Sequence, residues 1–353
     1  MSRGTVLITG ATGMVGSLVA KEARQAGYTV RAMVRPTSDL SPLEGLEIET
    51  VQADLADLES LPEALANVDY VIHTAAHVGE WGPAEEYRAI NVVALEAMLI
   101  AARKAGRLKR WVQISSLGVY AATHHYGTDE TTPPDLAGLD GYTATKAEAE
   151  VLLNQTIQQH DFPATIIRPG FIYGPGDRQV VPRIIERLSV GQMKLIGDGQ
   201  KKLNNTYAGN LVDAIMLAMD KDESIGETFN IRDERLVTRE EFVGAIADYM
   251  GLPMPKRVPE WLARSAVGFF EGFAKMRGSQ TAPMFTNARI KFLTLNLDFS
   301  IDKAKRLLGY QPNTDFREGM KTALQWADEH DLIPRRSTTN LSTADTSTGQ
   351  KTA

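Results

Sequence analysis

The first 168 residues alternate short runs rich in Val, Ile and Thr with longer segments of helical pattern. Six runs have the length and composition of β-strands, at residues 5–9, 29–34, 47–52, 70–74, 110–115 and 164–168. Four helix-length segments lie between them, at residues 15–26, 59–66, 84–105 and 143–160. Strands that alternate with helices form βαβ units and a parallel sheet with helices on both faces. We therefore predict an α/β fold with a doubly wound parallel sheet of the Rossmann type.

A glycine-rich loop, Gly10-Ala11-Thr12-Gly13-Met14-Val15-Gly16, joins the first predicted strand to the first predicted helix. Glycine permits a tight turn and a close approach of the backbone to a pyrophosphate, and the helix N-terminus offers N–H groups and a positive dipole end. A preceding strand and a following helix are the context that dinucleotide binding requires. We therefore predict phosphate contacts from Gly10, Thr12, Gly13, Met14, Val15 and Gly16.

The end of the second predicted strand bears on the identity of the dinucleotide. Enzymes specific for NAD usually place Asp or Glu there to hold the ribose 2′-hydroxyl, and the sequence has no acid between Val30 and Ser38. Arg35 instead offers a guanidinium suited to a 2′-phosphate. The sequence therefore favours NADP, with NAD as the alternative. Asp54, after the third predicted strand, could accept from the adenine amino group, but a lone Asp there is more often a turn residue.

Tyr142 and Lys146 stand four residues apart in a predicted helix, and therefore on one face of it. A nearby ammonium favours the phenolate and lowers the pKa of the tyrosine, which suits proton transfer near neutral pH. The pair Ser115-Ser116 follows the fifth predicted strand, at the sheet edge where parallel sheets bind ligands. A serine hydroxyl can bind a substrate oxygen while the tyrosine exchanges a proton with it and a nicotinamide transfers hydride.

Taken together, these motifs resemble the extended short-chain dehydrogenase/reductase family. The matching pieces occur in the family's order, at residues 9–16, Asp54-Leu55, His73-Thr74-Ala75-Ala76, Asn91-Val92, Ser115-Ser116 with Val119-Tyr120, residues 142–146, Arg168-Pro169-Gly170, residues 173–177 and Phe299-Ser300 with residues 304–312. Each piece alone is weak, but the ordered set is highly specific.

The resemblance implies roles for individual residues. Ser116, Tyr142 and Lys146 match the catalytic triad, with Ser116 chosen over Ser115 because it precedes Val119 by three residues. Asn91 matches a residue that supports the proton relay. The cofactor contacts implied beyond the glycine loop and Arg35 are Asp54, Leu55, His73, Ala75, Tyr142, Lys146 and Pro169.

Departures from the motifs of other branches narrow the implied activity. Phe171 stands where nucleotide-sugar enzymes commonly have Asn, and Leu117-Gly118 stands where sugar dehydratases have Asp-Glu. Trp81-Gly82-Pro83 is similar to 3β-hydroxysteroid-dehydrogenase-like members, and residues 30–35 are similar to dihydroflavonol-reductase-like members. The resemblance implies an NAD(P)-dependent oxidoreductase, with Tyr142 as general acid and base, that interconverts a ketone and a secondary alcohol. Its substrate would be steroid-like, flavonoid-like or a long-chain keto compound.

Two other functions stay open at the level of sequence. A nucleotide-sugar epimerase would use the same residues and regenerate the cofactor in each cycle, and a sensor or scaffold would bind NAD(P) without catalysis. The apolar residues Trp261, Leu262, Phe269, Phe270, Phe273 and Met276 fit either a substrate pocket or a hydrophobic core.

We divide the chain into a dinucleotide-binding domain at residues 1–168, a smaller C-terminal substrate-binding lobe at 169–334, and a disordered tail at 335–353. After Arg168 the pattern becomes irregular and richer in Gly and Pro, and later segments are expected to cross back into the sheet. The tail is rich in Ser and Thr and has too few apolar residues to offset its ordering entropy.

The predicted helices 84–105 and 143–160 could pair into a homodimer interface.

Composition excludes several classes of protein. The chain of 353 residues has no Cys, which excludes disulfides, thiolate nucleophiles and Cys-ligated metals, and no His and acid cluster has metal-ligand spacing. A net charge of −6 disfavours nucleic-acid binding. The sequence has neither a signal-peptide pattern nor a long uncharged apolar stretch, so we predict a cytoplasmic protein without stable membrane insertion. Segment 258–278 could form a helix that lies at a membrane interface. A helix that covers a substrate pocket is the preferred interpretation.

Overall fold

The structure, a computed structural model, describes residues 2–79, 81–263, 265 and 293–334. Its strands are β1 (Thr5–Thr9), β2 (Thr29–Val34), β3 (Glu49–Gln52), β4 (Tyr70–His73), β5 (Arg110–Ile114), β6 (His125–Thr128), β7 (Ala164–Pro169), β8 (Phe171–Tyr173), β9 (Leu195–Ile196), β10 (Lys202–Leu203), β11 (Asn205–Tyr207), β12 (Thr228–Ile231), β13 (Val237–Thr238), β14 (Arg257–Val258) and β15 (Leu297–Phe299). Its helices are α1 (Met14–Gln25), α2 (Leu61–Ala64), α3 (Ala84–Arg88), α4 (Ala94–Ala105), α5 (Gly141–His160), α6 (Val180–Ser189), α7 (Ala208–Asp220), α8 (Arg239–Met250) and α9 (Phe316–Glu329).

Seven of the strands form one parallel sheet in the order β3-β2-β1-β4-β5-β7-β12. The strand order reverses between β1 and β4, and open sheets of this kind bind ligands beyond the carboxyl ends of the strands at such a point. Thr9 pairs in register with both Met33 and His73, so the ends of β1, β2 and β4 are level at this edge. The register therefore places the loops that follow these strands side by side.

Helices cover both faces of the large sheet, because its central strands present apolar side chains to both sides. On one face α1 and α7 pack together over a core that includes Val19, Ile72, Leu211, Ile215 and Phe229. On the other face α4 and α5 cover a core that includes Leu95, Met98, Trp111, Leu153 and Ile166. The predicted α/β fold of the Rossmann type is confirmed.

A third core lies in the smaller part of the molecule, beyond the carboxyl ends of the strands. It contains Tyr173, Ile185, Phe242, Phe316 and Leu324, and it joins α6, α8 and α9. The chain leaves the large sheet after β7, forms the parallel pair β8–β11, and returns through α7 to β12, which pairs with β7. The division at residue 168 stays a proposal, since α7 and β12 belong to the large sheet by packing.

The predicted helix 84–105 is interrupted in the structure. A π-helical turn, Ala89–Val93, separates α3 from α4. Turns of this kind widen the helix by one residue and frequently occur at functional sites. Asn91 lies in this turn, and its side chain makes the hydrogen bonds described below.

Helix α5 begins two residues before the predicted start, because Asp140 caps it. The Asp140 carboxylate accepts a hydrogen bond from the Thr143 N–H at 2.8 Å, and Thr143 Oγ1 accepts one from the Asp140 N–H at 3.1 Å. This reciprocal capping box satisfies two N–H groups at the helix start. The cap therefore fixes the first turn of α5, where Tyr142 lies.

Several predictions fall on residues that the structure does not describe. The tail at 335–353, the apolar residues 269–276 and most of segment 258–278 lie outside the described residues. Of the apolar residues that are described, Trp261 is 69% exposed and Leu262 is 47% exposed. Among the described helices we find none whose length and apolar character would let it span a membrane.

Candidate active site

The glycine loop connects β1 to α1 at the point where the strand order reverses. Gly10 has a φ of 65°, and a Cβ atom there would lie 2.7 Å from Thr74 Oγ1. A Cβ atom on Gly16 would lie 2.1 Å from the Gly10 carbonyl oxygen, so only glycine lets α1 approach the loop this closely. The Gly13 N–H donates to the same carbonyl at 2.9 Å.

The N-terminus of α1 is open to a ligand. Gly13 provides no side-chain cap, and the first turn of α1 contains no acidic residue. The first N–H groups of a helix lack partners within the helix, and together with the helix dipole they favour a phosphate. The glycines at positions 10 and 16 let the loop and α1 pack this closely, because a Cβ atom at either position would collide with neighbouring chain. The loop is therefore suited to the dinucleotide that the sequence predicts.

The end of β4 is tied to the end of β1 by three hydrogen bonds. His73 Nδ1 lies 2.8 Å from Thr9 Oγ1, Thr74 Oγ1 donates to the Thr9 carbonyl at 2.7 Å, and the Ala75 N–H donates to Thr9 Oγ1 at 3.2 Å. Burial, together with the charge of Lys146, lowers the pKa of His73 to about 3. A neutral His73 therefore helps to hold the loop that carries Ala75 beside the glycine loop.

The loops after β2 and β3 also reach this edge. Val34 pairs with Gln52, so Arg35 and Asp54 both lie just beyond the strand ends. The Arg35 residue is exposed, as a group that binds a cofactor phosphate would be. The Asp54 carboxylate accepts from the Ala56 N–H at 3.0 Å and so takes part in a local turn. Leu55 is buried beside it.

Ser116 and Tyr142 are brought together at the end of β5. Ser116 Oγ accepts a hydrogen bond from the Gly118 N–H at 3.0 Å, and Tyr142 lies close enough to Ser116 for the serine to lower its pKa. Burial raises the pKa of Tyr142 to about 12, the nearby Ser116 hydroxyl opposes the rise, and the Asp140 carboxylate adds to it. The sequence predicts a lowered pKa for Tyr142, and that prediction is wrong for this structure because burial outweighs the other effects.

Lys146 lies one turn after Tyr142 on α5 and is 4% exposed. Its Nζ atom donates to the carbonyl oxygen of Ile114 at 2.7 Å and lies 5.9 Å from the centroid of the Tyr142 ring. Burial lowers the pKa of Lys146 to about 8, while the Glu150 carboxylate opposes this shift. The ammonium is thus directed at the end of β5, and not at the Tyr142 hydroxyl.

Asn91 links the loop after β4 to α5. Its Oδ1 atom accepts from the His77 N–H at 2.8 Å, and its Nδ2 atom donates to the His77 carbonyl and to Thr145 Oγ1, both at 3.1 Å. Thr145 precedes Lys146 directly. The structure therefore places Asn91 where it positions α5 and the loop, and its part in a proton relay stays a prediction.

Glu150 forms a buried ion pair that none of the sequence motifs indicates. Arg168 Nε donates to Glu150 Oε1 at 2.9 Å, and Arg168 Nη1 donates to the Tyr120 hydroxyl at 2.7 Å. Both charged side chains are almost fully buried. This network joins β7, α5 and the loop that carries Ser116. One sequence feature does point to Glu150: it lies four residues after Lys146, which places both on one face of α5.

The chain is similar in sequence and in fold to several known proteins. A 2-alkyl-3-oxoalkanoate reductase from Shewanella oneidensis is 30% identical over 327 residues, which cover 89% of this chain and 84% of that protein. A 3-beta-hydroxysteroid dehydrogenase from Mycolicibacterium neoaurum is 30% identical over 338 residues, which cover 92% and 91%. The crystal structure of gox2253 superposes with a TM-score of 0.80 at 27% identity, and the match covers 94% of this chain and 100% of that one.

The two sequence relatives are named as a reductase and a dehydrogenase, which agrees with the predicted oxidoreductase activity. The family described as "NAD dependent epimerase/dehydratase family" matches residues 6–231. This range contains the glycine loop, Ser116, Tyr142 and Lys146, and it confirms the resemblance found in the sequence. The chain belongs to the NAD dependent epimerase/dehydratase family.

Proposed function

We propose that the protein is an NAD(P)-dependent oxidoreductase that interconverts a ketone and a secondary alcohol on a hydrophobic substrate. The observation that carries this proposal is the convergence of Ser116 and Tyr142, next to the buried Lys146, at the carboxyl edge of the sheet. Two hydroxyl groups that lie close together can both contact one carbonyl oxygen placed between them. The names of the two sequence relatives support the same reaction class.

Each member of the triad has a distinct task in ketone reduction. Tyr142 keeps its proton at neutral pH, because burial raises its pKa to about 12, and it donates this proton to the developing alkoxide. Ser116 holds the substrate oxygen next to the tyrosine. The ammonium of Lys146 stabilises the negative charge that develops nearby. The nicotinamide supplies the hydride when it is bound.

The cofactor would lie along the loops at the carboxyl edge. The N-terminus of α1 and the glycine loop would hold the pyrophosphate, and the loop that carries Ala75 would line the nicotinamide half. Arg35, exposed just beyond β2, supports NADP over NAD, because a guanidinium binds a 2′-phosphate with two charge-assisted hydrogen bonds.

The test is a screen of NADPH and NADH oxidation with steroids, β-keto compounds, flavonoid-like ketones and nucleotide sugars. We expect net oxidation with at least one hydrophobic ketone, and Tyr142→Phe should reduce kcat about 10²- to 10⁴-fold. Tyr126, which is 73% exposed, provides the matched control, and Tyr126→Phe should leave the rate unchanged. Conversion of a nucleotide sugar to its epimer without net oxidation of the cofactor would contradict the proposal.

A further inference from the structure

An apolar cavity of about 130 Å³ lies in the smaller part of the molecule. Of the eleven described residues that line it, nine are apolar. They come from β8, α6, β9, β10 and α8, from the chain between α6 and β9, and from Leu293. Phe171, Leu203, Phe242 and Val243 form part of its wall. A cavity with this lining favours an apolar occupant, because a polar group would lose its hydrogen bonds to water there.

The cavity begins at the same sheet edge as the catalytic residues. Phe171 is the second residue after Pro169, which ends β7, and the Phe171 N–H donates to the Asn204 carbonyl at 2.7 Å. Strand β7 pairs directly with β5, and Ser116 follows β5. Neighbouring strands lie about 5 Å apart. A substrate whose carbonyl lies at Ser116 can therefore extend a side arm past the end of β7 toward this cavity.

The size of the cavity limits what it can hold. Apolar cavities of about 150 Å³ bind benzene, whereas pockets for whole drug-sized ligands measure about 300–1,000 Å³. The cavity of about 130 Å³ therefore admits one compact arm of about six carbon atoms. A rigid fused-ring skeleton would have to stay largely outside it.

The charged residues of the wall add a second restriction. They are Lys194, which is exposed, and Arg239, which is 6% exposed and donates to the carbonyl oxygens of Lys201 and Lys202. Both charged residues among the described lining are cations. A cationic arm would be repelled by them, whereas a neutral alkyl or aryl arm would not.

We propose that this cavity is the specificity pocket for one compact alkyl or aryl arm of the ketone substrate. The proposal rests on the proposed function and names the substrate class within it: ketones with one neutral apolar arm of about six carbon atoms. The pocket would act by burying this arm, so its effect on kcat/KM should depend on the length of the arm.

The test uses methyl ketones whose linear arm lengthens by one carbon at a time. Burial of one methylene contributes about a fourfold gain in binding, so kcat/KM should rise about fourfold per carbon and level off near six carbons. We call the arm length at which kcat/KM stops rising the break. Phe242→Ala enlarges the cavity and should move the break to longer arms. Leu203→Phe fills the cavity and should move the break to shorter arms.

Leu188→Ala is the matched control, because Leu188 belongs to the same core but does not line the cavity. It should lower stability in the manner of Phe242→Ala and leave the break where it is. If Phe242→Ala fails to fold, Phe242→Leu replaces it. A break that Phe242→Ala and Leu203→Phe leave unmoved would overturn the proposal.

A second measurement does not depend on turnover. Benzene should raise the Tm of the wild-type protein and should raise it much less in Leu203→Phe. Failure of every ketone to be turned over, with this benzene effect present, would overturn the proposed function but retain the cavity as a binding site. Ketone turnover with no benzene effect and no movement of the break would overturn the cavity proposal alone.

Discussion

The Nζ atom of Lys146 donates to the carbonyl oxygen of Ile114 at 2.7 Å, and this bond joins α5 to the last residue of β5. It holds the ammonium at the strand end that Ser116 follows, while Tyr142 reaches Ser116 from the preceding turn of the same helix. The triad is thus assembled by one helix packed on the end of one strand. The charge state of Lys146 near neutral pH depends on how deeply this side chain is buried.

The first prediction concerns pH. Lys146 has its pKa lowered to about 8, so it is charged below that pH and neutral above it. We expect kcat/KM for ketone reduction to fall about tenfold between pH 7 and pH 9, as the charge near Tyr142 is lost. Initial rates at constant ionic strength measure this. Lys146→Met should give a low rate with no decline over this range, and an equal decline in that variant would refute the assignment.

The second prediction concerns the buried pair of Arg168 and Glu150. Glu150→Gln leaves the guanidinium buried without its carboxylate partner, which typically costs about 3–5 kcal/mol of unfolding free energy. Urea unfolding measures the loss. Glu150 also raises the pKa of Lys146, so Glu150→Gln should move the alkaline decline in rate to lower pH.

Glu47→Gln is the control for this loss of stability. Glu47 pairs with Arg24 at 2.9 Å, and its side chain is 87% exposed. Removing an exposed partner should change the free energy of unfolding by less than about 1 kcal/mol. Equal losses of unfolding free energy in the two variants would show that burial does not increase the contribution of the Arg168–Glu150 pair to stability.

The third prediction concerns the approach of α1 to the glycine loop. A Cβ atom at Gly16 would lie 2.1 Å from the Gly10 carbonyl oxygen, so Gly16→Ala must displace the helix or the loop. We expect a loss of about 1–3 kcal/mol in unfolding free energy, typical of overpacking, and weaker cofactor binding. Calorimetric titration with NADPH measures the binding.

Gly244→Ala in α8 is the matched substitution. Its nearest neighbour would be Met254 Sδ at 3.6 Å, which is an ordinary contact. Because alanine favours the helix interior over glycine, stability should rise by about 0.5–1 kcal/mol with cofactor binding unchanged. Equal weakening of NADPH binding by both variants would argue against a specific role of the Gly16 contact.

The fourth prediction concerns the choice of cofactor. Arg35→Ala should weaken NADPH binding about ten- to a hundredfold, the value of a hydrogen bond to a charged group, and should leave NADH binding nearly unchanged. Arg103→Ala, which removes an exposed cation from the last turn of α4, is the control. A parallel loss for NADPH and NADH in Arg35→Ala would remove the basis for preferring NADP.

Features that depend on local sequence could be predicted, and those that depend on packing could not. The turn from β1 into α1 needs only the order strand, glycines and helix, and the placement of Tyr142 and Lys146 on one face needs only a spacing of four. The pairing of Glu150 with Arg168 depends on how α5 lies against β7. The raised pKa of Tyr142 depends on burial, which spacing does not reveal.

Asn91 illustrates the same limit. Its motif suggested a functional residue, but the two-point contact with the His77 backbone and the bond to Thr145 bring together three separate stretches of chain. The π-helical turn that accommodates them has no sequence pattern of its own here. The apolar cavity likewise combines residues from Phe171 to Leu293, which no periodicity connects.

The return of the chain to the large sheet as β12 has a consequence for engineering. A fragment ending at residue 168 would bare the edge of β7, and uncovered edges of this kind recruit other chains and aggregate. We therefore infer that the cofactor-binding half cannot be separated by a single cut. A graft that exchanges specificity between relatives would have to replace both the stretch between Pro169 and α7 and the chain after β12, and keep α7 and β12 with their host.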